Sequence, residues 1–144
     1  MSAKDIEIFK QRLAVDPLDR NAFLSLRNLY MRNGQFVELA QLYEMRSSYL
    51  GNTPESADLL FRAAELWLDQ IGDVGRGTTG LLQTLEISPN HRPSAERLEK
   101  IYKESGDYQS LLQVLTKFVD GLESYEPGRE SAKTRSSIYQ QIGE

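Results

Sequence analysis

The sequence predicts an all-α fold, an α-solenoid of about eight antiparallel helices. Two observations carry this. Apolar residues recur at helical spacing along nearly the whole chain. Phe23, Leu26 and Tyr30 lie at i, i+3 and i+7, as do Leu60, Ala63 and Trp67, and Ala95, Leu98 and Tyr102. No segment alternates polar and apolar residues over the length of a strand. The chain also repeats itself. Shifted by 72 positions, Leu29-Tyr30 falls on Ile101-Tyr102, Gly34 on Gly106, Phe36 on Tyr108, Leu39 on Leu111 and Pro17 on Pro89. A half-period lies inside: Pro17, Pro54, Pro89 and Pro127 stand 37, 35 and 38 residues apart. Leu66-Trp67 before Gly72 echoes Leu29-Tyr30 before Gly34, with one extra residue inserted. A unit of about 36 residues holds two helices and cannot bury its own apolar face, so units must stack.

Each element has its own local signals. Residues 3–15, "AKDIEIFKQRLAV", form the first helix; Leu13 and Val15 align with Leu85 and Ile87, the pattern of a unit's second helix. The turn "VDPLD" ends it. A unit over about 19–51 follows, broken at "NGQ", where Gly34 closes a helix in the left-handed conformation that glycine adopts without strain. "GNTPE" leads into the unit at about 54–88. Thr53 reads as an N-cap and Pro54 as a first-turn proline, whose missing N–H costs nothing there. "IGD" breaks that unit. "SPNHRP" leads into the unit at about 91–125, broken at "SGD" by Gly106. After "YEPGR" a terminal helix is expected at about 129–144, with Tyr139 and Ile142 aligned on Leu60 and Ala63. Its apolar stripe, Ile138, Tyr139 and Ile142, leads to the expectation that the natural chain continues past Glu144 or that its ends meet another molecule. A homo-oligomer paired through terminal helices is the simplest form of the second case.

Composition bounds the function. The 144 residues are 40% hydrophobic and 26% charged, with a net charge of −4. This acidic balance argues against nucleic-acid binding, which rests on clustered Lys and Arg. The chain has no cysteine, which excludes a disulfide framework, a thiolate metal site and a cysteine nucleophile. "MSAKDIEIFKQRL" has no apolar signal core, and no apolar run approaches a membrane span. The expectation is a cytoplasmic protein that engages no membrane.

The most specific stretch is "LLFRAAELWLDQIGDVGRGTTGLLQTLEISPNH" (59–91). It offers Leu60, Ala63-Ala64 and Trp67 on a first helix, Gly72-Asp73 at the turn, Leu81 on a second helix and Pro89 at the close. In this order it resembles a tetratricopeptide repeat with one residue added before the turn. The first and third units depart further. Arg27 and Glu99 stand where the family has a small residue, and Leu39 and Leu111 where it has alanine early in the second helix. The resemblance covers nearly the whole chain. It implies one right-handed solenoid domain over 1–144, possessing no enzymatic activity and presenting a concave groove to a peptide or helix.

"GDVGRGTTG" (72–80) contains Gly75, Gly77 and Gly80 at G-x-G-x-x-G spacing. A dinucleotide loop needs a strand before it; here the preceding segment, "SADLLFRAAELWLDQI", is an amphipathic helix. In the repeat register Gly77 replaces the family's alanine and lets two helices approach. Three glycines in one helix each cost about 1 kcal/mol relative to alanine, so the helix at 74–87 is expected to open more readily than its neighbours. His91, the only histidine, sits in a turn with no nucleophile or orienting carboxylate assigned to it, and reads as an exposed polar residue. Asp58, Glu65, Asp69 and Asp73 lack the spacing of a Ca²⁺ loop and read as a solvated face. No cofactor, metal or catalytic residue is expected.

Beside the core stripe of each first helix runs a second stripe, this one at i, i+4, i+7: Leu24, Asn28 and Met31; Phe61, Glu65 and Leu68; Glu96, Lys100 and Lys103. By the resemblance this face lines the concave groove, apolar at one end and charged at the other. Apolar residues in line on a surface mark partner sites, so these nine are the expected partner-binding residues, and a protein or peptide is the expected partner. The family's carboxylate clamp for the acidic tails of heat-shock chaperones is not reproduced. Asn28 and Arg97 match it, but Leu24 and Pro93 replace lysines and Arg62 replaces an asparagine. The other reading is a structural or regulatory segment that packs within a larger protein or self-associates through its ends.

Overall fold

The structure, a computed structural model, describes residues 3–125. Among them every regular element is helical: α1 (Ala3–Val15), α2 (Arg20–Asn33), α3 (Phe36–Leu50), α4 (Pro54–Glu65), a π-helical turn (Leu66–Ile71), α5 (Val74–Ile87), α6 (Arg92–Ser105) and α7 (Tyr108–Tyr125). The helix expected at about 129–144 lies outside the described residues. The chain divides into two compact units, Met1–Gly80 and Leu81–Glu144, with the division inside α5.

Turn chemistry sets the helix ends. Thr53, extended at φ −126°, accepts the Ser56 N–H at 3.1 Å, and Pro54 follows it in the first turn. Gly34 and Gly106 have φ of 69° and 75°. After each, a reverse hydrogen bond returns to the helix: Gln35 N–H to the Tyr30 carbonyl at 2.9 Å, and Asp107 N–H to that of Tyr102 at 3.0 Å. These are Schellman-type stops. His91 is not a plain turn residue. It is half-buried and caps α6, its Nδ1 lying 3.3 Å from the Ser94 nitrogen and 2.8 Å from the Ser94 hydroxyl.

Asp19 and Asp107 cap α2 and α7. Asp19 accepts the Ala22 N–H at 3.0 Å and pairs with Arg12 at 3.0 Å. The Ala22 N–H above all, with Arg12, holds its carboxyl below the usual range, and the Ser110 hydroxyl and N–H do the same for Asp107. A carboxylate depressed on folding stabilises above its unfolded pKa and loses that contribution as pH falls through its folded one. Acid titration below about pH 4 is therefore expected to uncap α2 and α7. Amide exchange at Ala22 and Ser110 should quicken first, and Asp19→Asn should remove the response at Ala22 alone.

The extra residue seen in the second sequence repeat, about 54–88, is absorbed as the π-helical turn. The hydrogen bond that closes the helix end spans one residue more than in the other units: Asp73 N–H reaches the Trp67 carbonyl at 2.7 Å. Gly72 then stops the helix at φ 84°.

In the first unit α1 packs on α2, α2 on α3, and α3 on both α4 and the π-helical turn. Leu13, Leu26, Tyr30, Leu39, Tyr43 and Trp67 belong to one buried cluster. Between α3 and α4 the buried Ser47 and Ser56 satisfy each other, with hydroxyls 2.6 Å apart and each reaching the other's carbonyl. In the second unit α6 packs on α7, and Ala95, Leu111, Leu115, Phe118 and Val119 form the core.

The three glycines of α5 differ. A Cβ on Gly77 would overlap the Leu68 side chain and stand 3.3 Å from the Ala64 carbonyl oxygen; one on Gly80 would lie 3.0 Å from the Ala64 Cβ. Both mark close approach. A Cβ on Gly75 would meet only Asp73 Oδ1, at 3.6 Å. Gly75→Ala, in the first turn of α5, is thus expected to raise stability by about 0.4–1 kcal/mol, seen as a higher denaturant midpoint.

Candidate partner-binding face

The stripe on α2 combines two degrees of exposure. Leu24 is half-buried and packs on the first unit's core. Asn28 is exposed and accepts a hydrogen bond from Arg27 at 3.2 Å. Met31 is 53% exposed, a large apolar side chain open to solvent. Further along, Phe61 and Glu65 on α4 are half-buried. Leu68 is half-buried too, because the π-helical turn carries it toward α5, where it fills the space over Gly77. A freely exposed apolar line is therefore realised at Met31 and not at Leu24, Phe61 or Leu68. The extra residue breaks the 100° stepping on which the expectation for Leu68 rested.

On α6 of the second unit, Glu96, Lys100 and Lys103 are all exposed. Lys103 is paired with Glu99 at 3.0 Å, one turn away. At this exposure the pair contributes little to stability and leaves Lys100 as the more available cation of the stripe.

Behind the α4 stripe stands a polar network absent from the sequence reading. Trp67 is 3% exposed and donates its indole N–H to Glu44 Oε2 at 3.2 Å. The Arg76 guanidinium lies 4.8 Å from the Trp67 ring and 3.6 Å from Asp73. Asp73 also caps α5 by accepting the Arg76 N–H at 3.0 Å. Asp73 is thus an N-cap as well as a solvent-exposed carboxylate. Among the described residues no cluster of three His, Cys, Asp or Glu is placed to hold a metal ion.

Arg46 on α3 was also missed. It is 8% exposed, its guanidinium stacks 4.5 Å from the Phe23 ring centre, and its Nη1 has no hydrogen-bond partner among the described residues. The repeat register carried a signal. Arg46 aligns with Thr84 and Phe118, both buried.

Residues 22–56, from the first turn of α2 through α3 to the start of α4, match the family model described as Tetratricopeptide repeat. Over these residues the chain is similar to a tetratricopeptide repeat. The match falls on the first sequence repeat, about 19–51, while the residue-by-residue resemblance is strongest in the second, at 59–91. Tetratricopeptide repeats in general mediate protein–protein interaction and are non-enzymatic. Among the described residues no helix is long and apolar enough to cross a membrane. Comparison with curated proteins gives no match.

Proposed function

We propose that this tetratricopeptide-repeat chain is a non-enzymatic interaction scaffold that binds a peptide or helix of another protein on its first-helix face. The observation that carries the reading is Met31, open to solvent beside Asn28, with Leu24 on the same face of α2. An open apolar side chain among polar neighbours is the surface on which a partner's apolar residue gains free energy by excluding water. Phe61 and Glu65 extend the surface on α4 of the same compact unit, and the other compact unit carries its own exposed charged stripe, Glu96, Lys100 and Lys103, on α6.

Met31→Glu is expected to abolish capture of the partner in a pull-down with the intact chain while leaving circular dichroism and thermal midpoint nearly unchanged, since Met31 is exposed. Phe61→Glu should weaken capture too, with some loss of stability because Phe61 is half-buried. Unchanged capture by Met31→Glu would place binding away from the first-helix face, and no capture by the intact chain would favour a structural segment whose helices pack within a larger protein.

A further inference from the structure

On the side of α2 roughly opposite Leu24, Asn28 and Met31, an open cleft of about 350 Å³ lies between α1 and α3. Its lining includes Leu13 of α1, Leu26 and Tyr30 of α2, and Leu42, Met45 and Tyr49 of α3. Met45 and Tyr49 are 40% and 55% exposed. Along α3 the lining runs from Glu38 to Tyr49, about three turns or 16 Å at the helical rise. That is an elongated trench, shaped for a chain segment more than for a compact small molecule. Its walls are two helices and its floor a third, the setting in which an amphipathic helix lays down an apolar face.

The charges around it give the occupant a sign. The Tyr30 hydroxyl is pushed above the usual phenol range by burial first, then by Glu38 and Glu7. Glu7 on α1 and Glu38 on α3 thus bring carboxylates to Tyr30 from opposite walls. Both are exposed, and neither takes part in an ion pair among the described residues. Lys10 of α1, also in the lining, offsets one of the two. The Tyr30 end remains acidic, and the opposite end, at Met45 and Tyr49, is apolar.

We propose that this cleft is a second docking site, taking an amphipathic helix of a partner protein. The helix lays its apolar residues against Leu42, Met45 and Tyr49 and places a Lys or Arg between Glu38 and Glu7. The site is separate from the first-helix face. Met31→Glu leaves it intact, and its failure would not bear on that face.

The test uses the full chain and a synthetic amphipathic peptide of Leu and Lys, about four turns long, titrated by calorimetry. Its counterparts carry Glu in place of Lys, or Ser in place of Leu. The Leu/Lys peptide is expected to bind, and both counterparts to bind at least about tenfold more weakly, a difference of about 1.4 kcal/mol. Glu38→Lys should weaken binding by a similar factor, while the same charge change at exposed Glu55 on α4 should leave it within about twofold. Met45→Glu and Tyr49→Ser, both at exposed positions, should each weaken binding without lowering the thermal midpoint. The proposal is overturned if the Leu/Lys peptide fails to bind, if Glu38→Lys and Glu55→Lys act alike, or if neither α3 substitution matters. Sedimentation showing that the chain itself dimerises through Met45 and Tyr49 would overturn it in favour of a second copy as the occupant.

Discussion

Trp67→Ala is expected to destabilise the first unit by about 3–5 kcal/mol, the usual cost of truncating a buried aromatic to alanine. Three contributions act together. The indole is 3% exposed within the cluster that joins α2, α3 and α4. Its N–H bond to Glu44 ties the π-helical turn to α3. Its ring supports the Arg76 guanidinium from α5. Whole domains are stable by only about 5–15 kcal/mol, so this one change should bring the unit near its unfolding threshold. Urea denaturation followed by circular dichroism checks it, since the substitution removes the only tryptophan. Trp67→Phe keeps much of the apolar burial and should lose clearly less. Equal losses would mean that the Glu44 bond, and not packing, dominates.

Gly77→Ala sets two effects of opposite sign against each other. Helix propensity favours alanine by about 1 kcal/mol. Against it, the added methyl would overlap Leu68 and press on the Ala64 carbonyl, and overpacking of this kind costs about 1–3 kcal/mol. Overlap with a leucine side chain held between two helices should win, for a net loss of about 1–2 kcal/mol. The sign should reverse in a Leu68→Ala background, where the methyl has room and propensity alone remains. A double-mutant cycle on the denaturant midpoint reads the coupling directly. Together with the gain expected at Gly75, it separates the glycine that spacing requires from the one it does not. Amide exchange through α5 complements it. If residues 76–84 are protected as well as 60–68, packing at Gly77 and Gly80 outweighs their low propensity.

Helix positions were legible because their signals are local. Proline in a first turn, a Thr or Asp cap and a glycine stop act within a few residues, and each stands where α2, α4, α6 and α7 begin or end. The insertion before Gly72 was also legible, but not its form. Nothing local distinguishes an extra loop residue from a π-helical turn, and the choice depends on Trp67 staying in the core. From that followed the altered setting of Leu68. The cap made by His91 depends on where the ring places Nδ1, which helical periodicity does not encode. Arg46 was legible in principle, since the repeat aligns it with buried Thr84 and Phe118. A reading that assigns charged residues to the surface passes over it.

The proposed binding face is tested most directly by site-specific photo-cross-linking of the full chain in its native extract. A photoreactive residue at Met31 is expected to join the chain to a discrete protein partner. The same residue at Val37, exposed on α3, is expected to give none of that product. Cross-linking to the same partner from Val37 but not from Met31 would contradict the account.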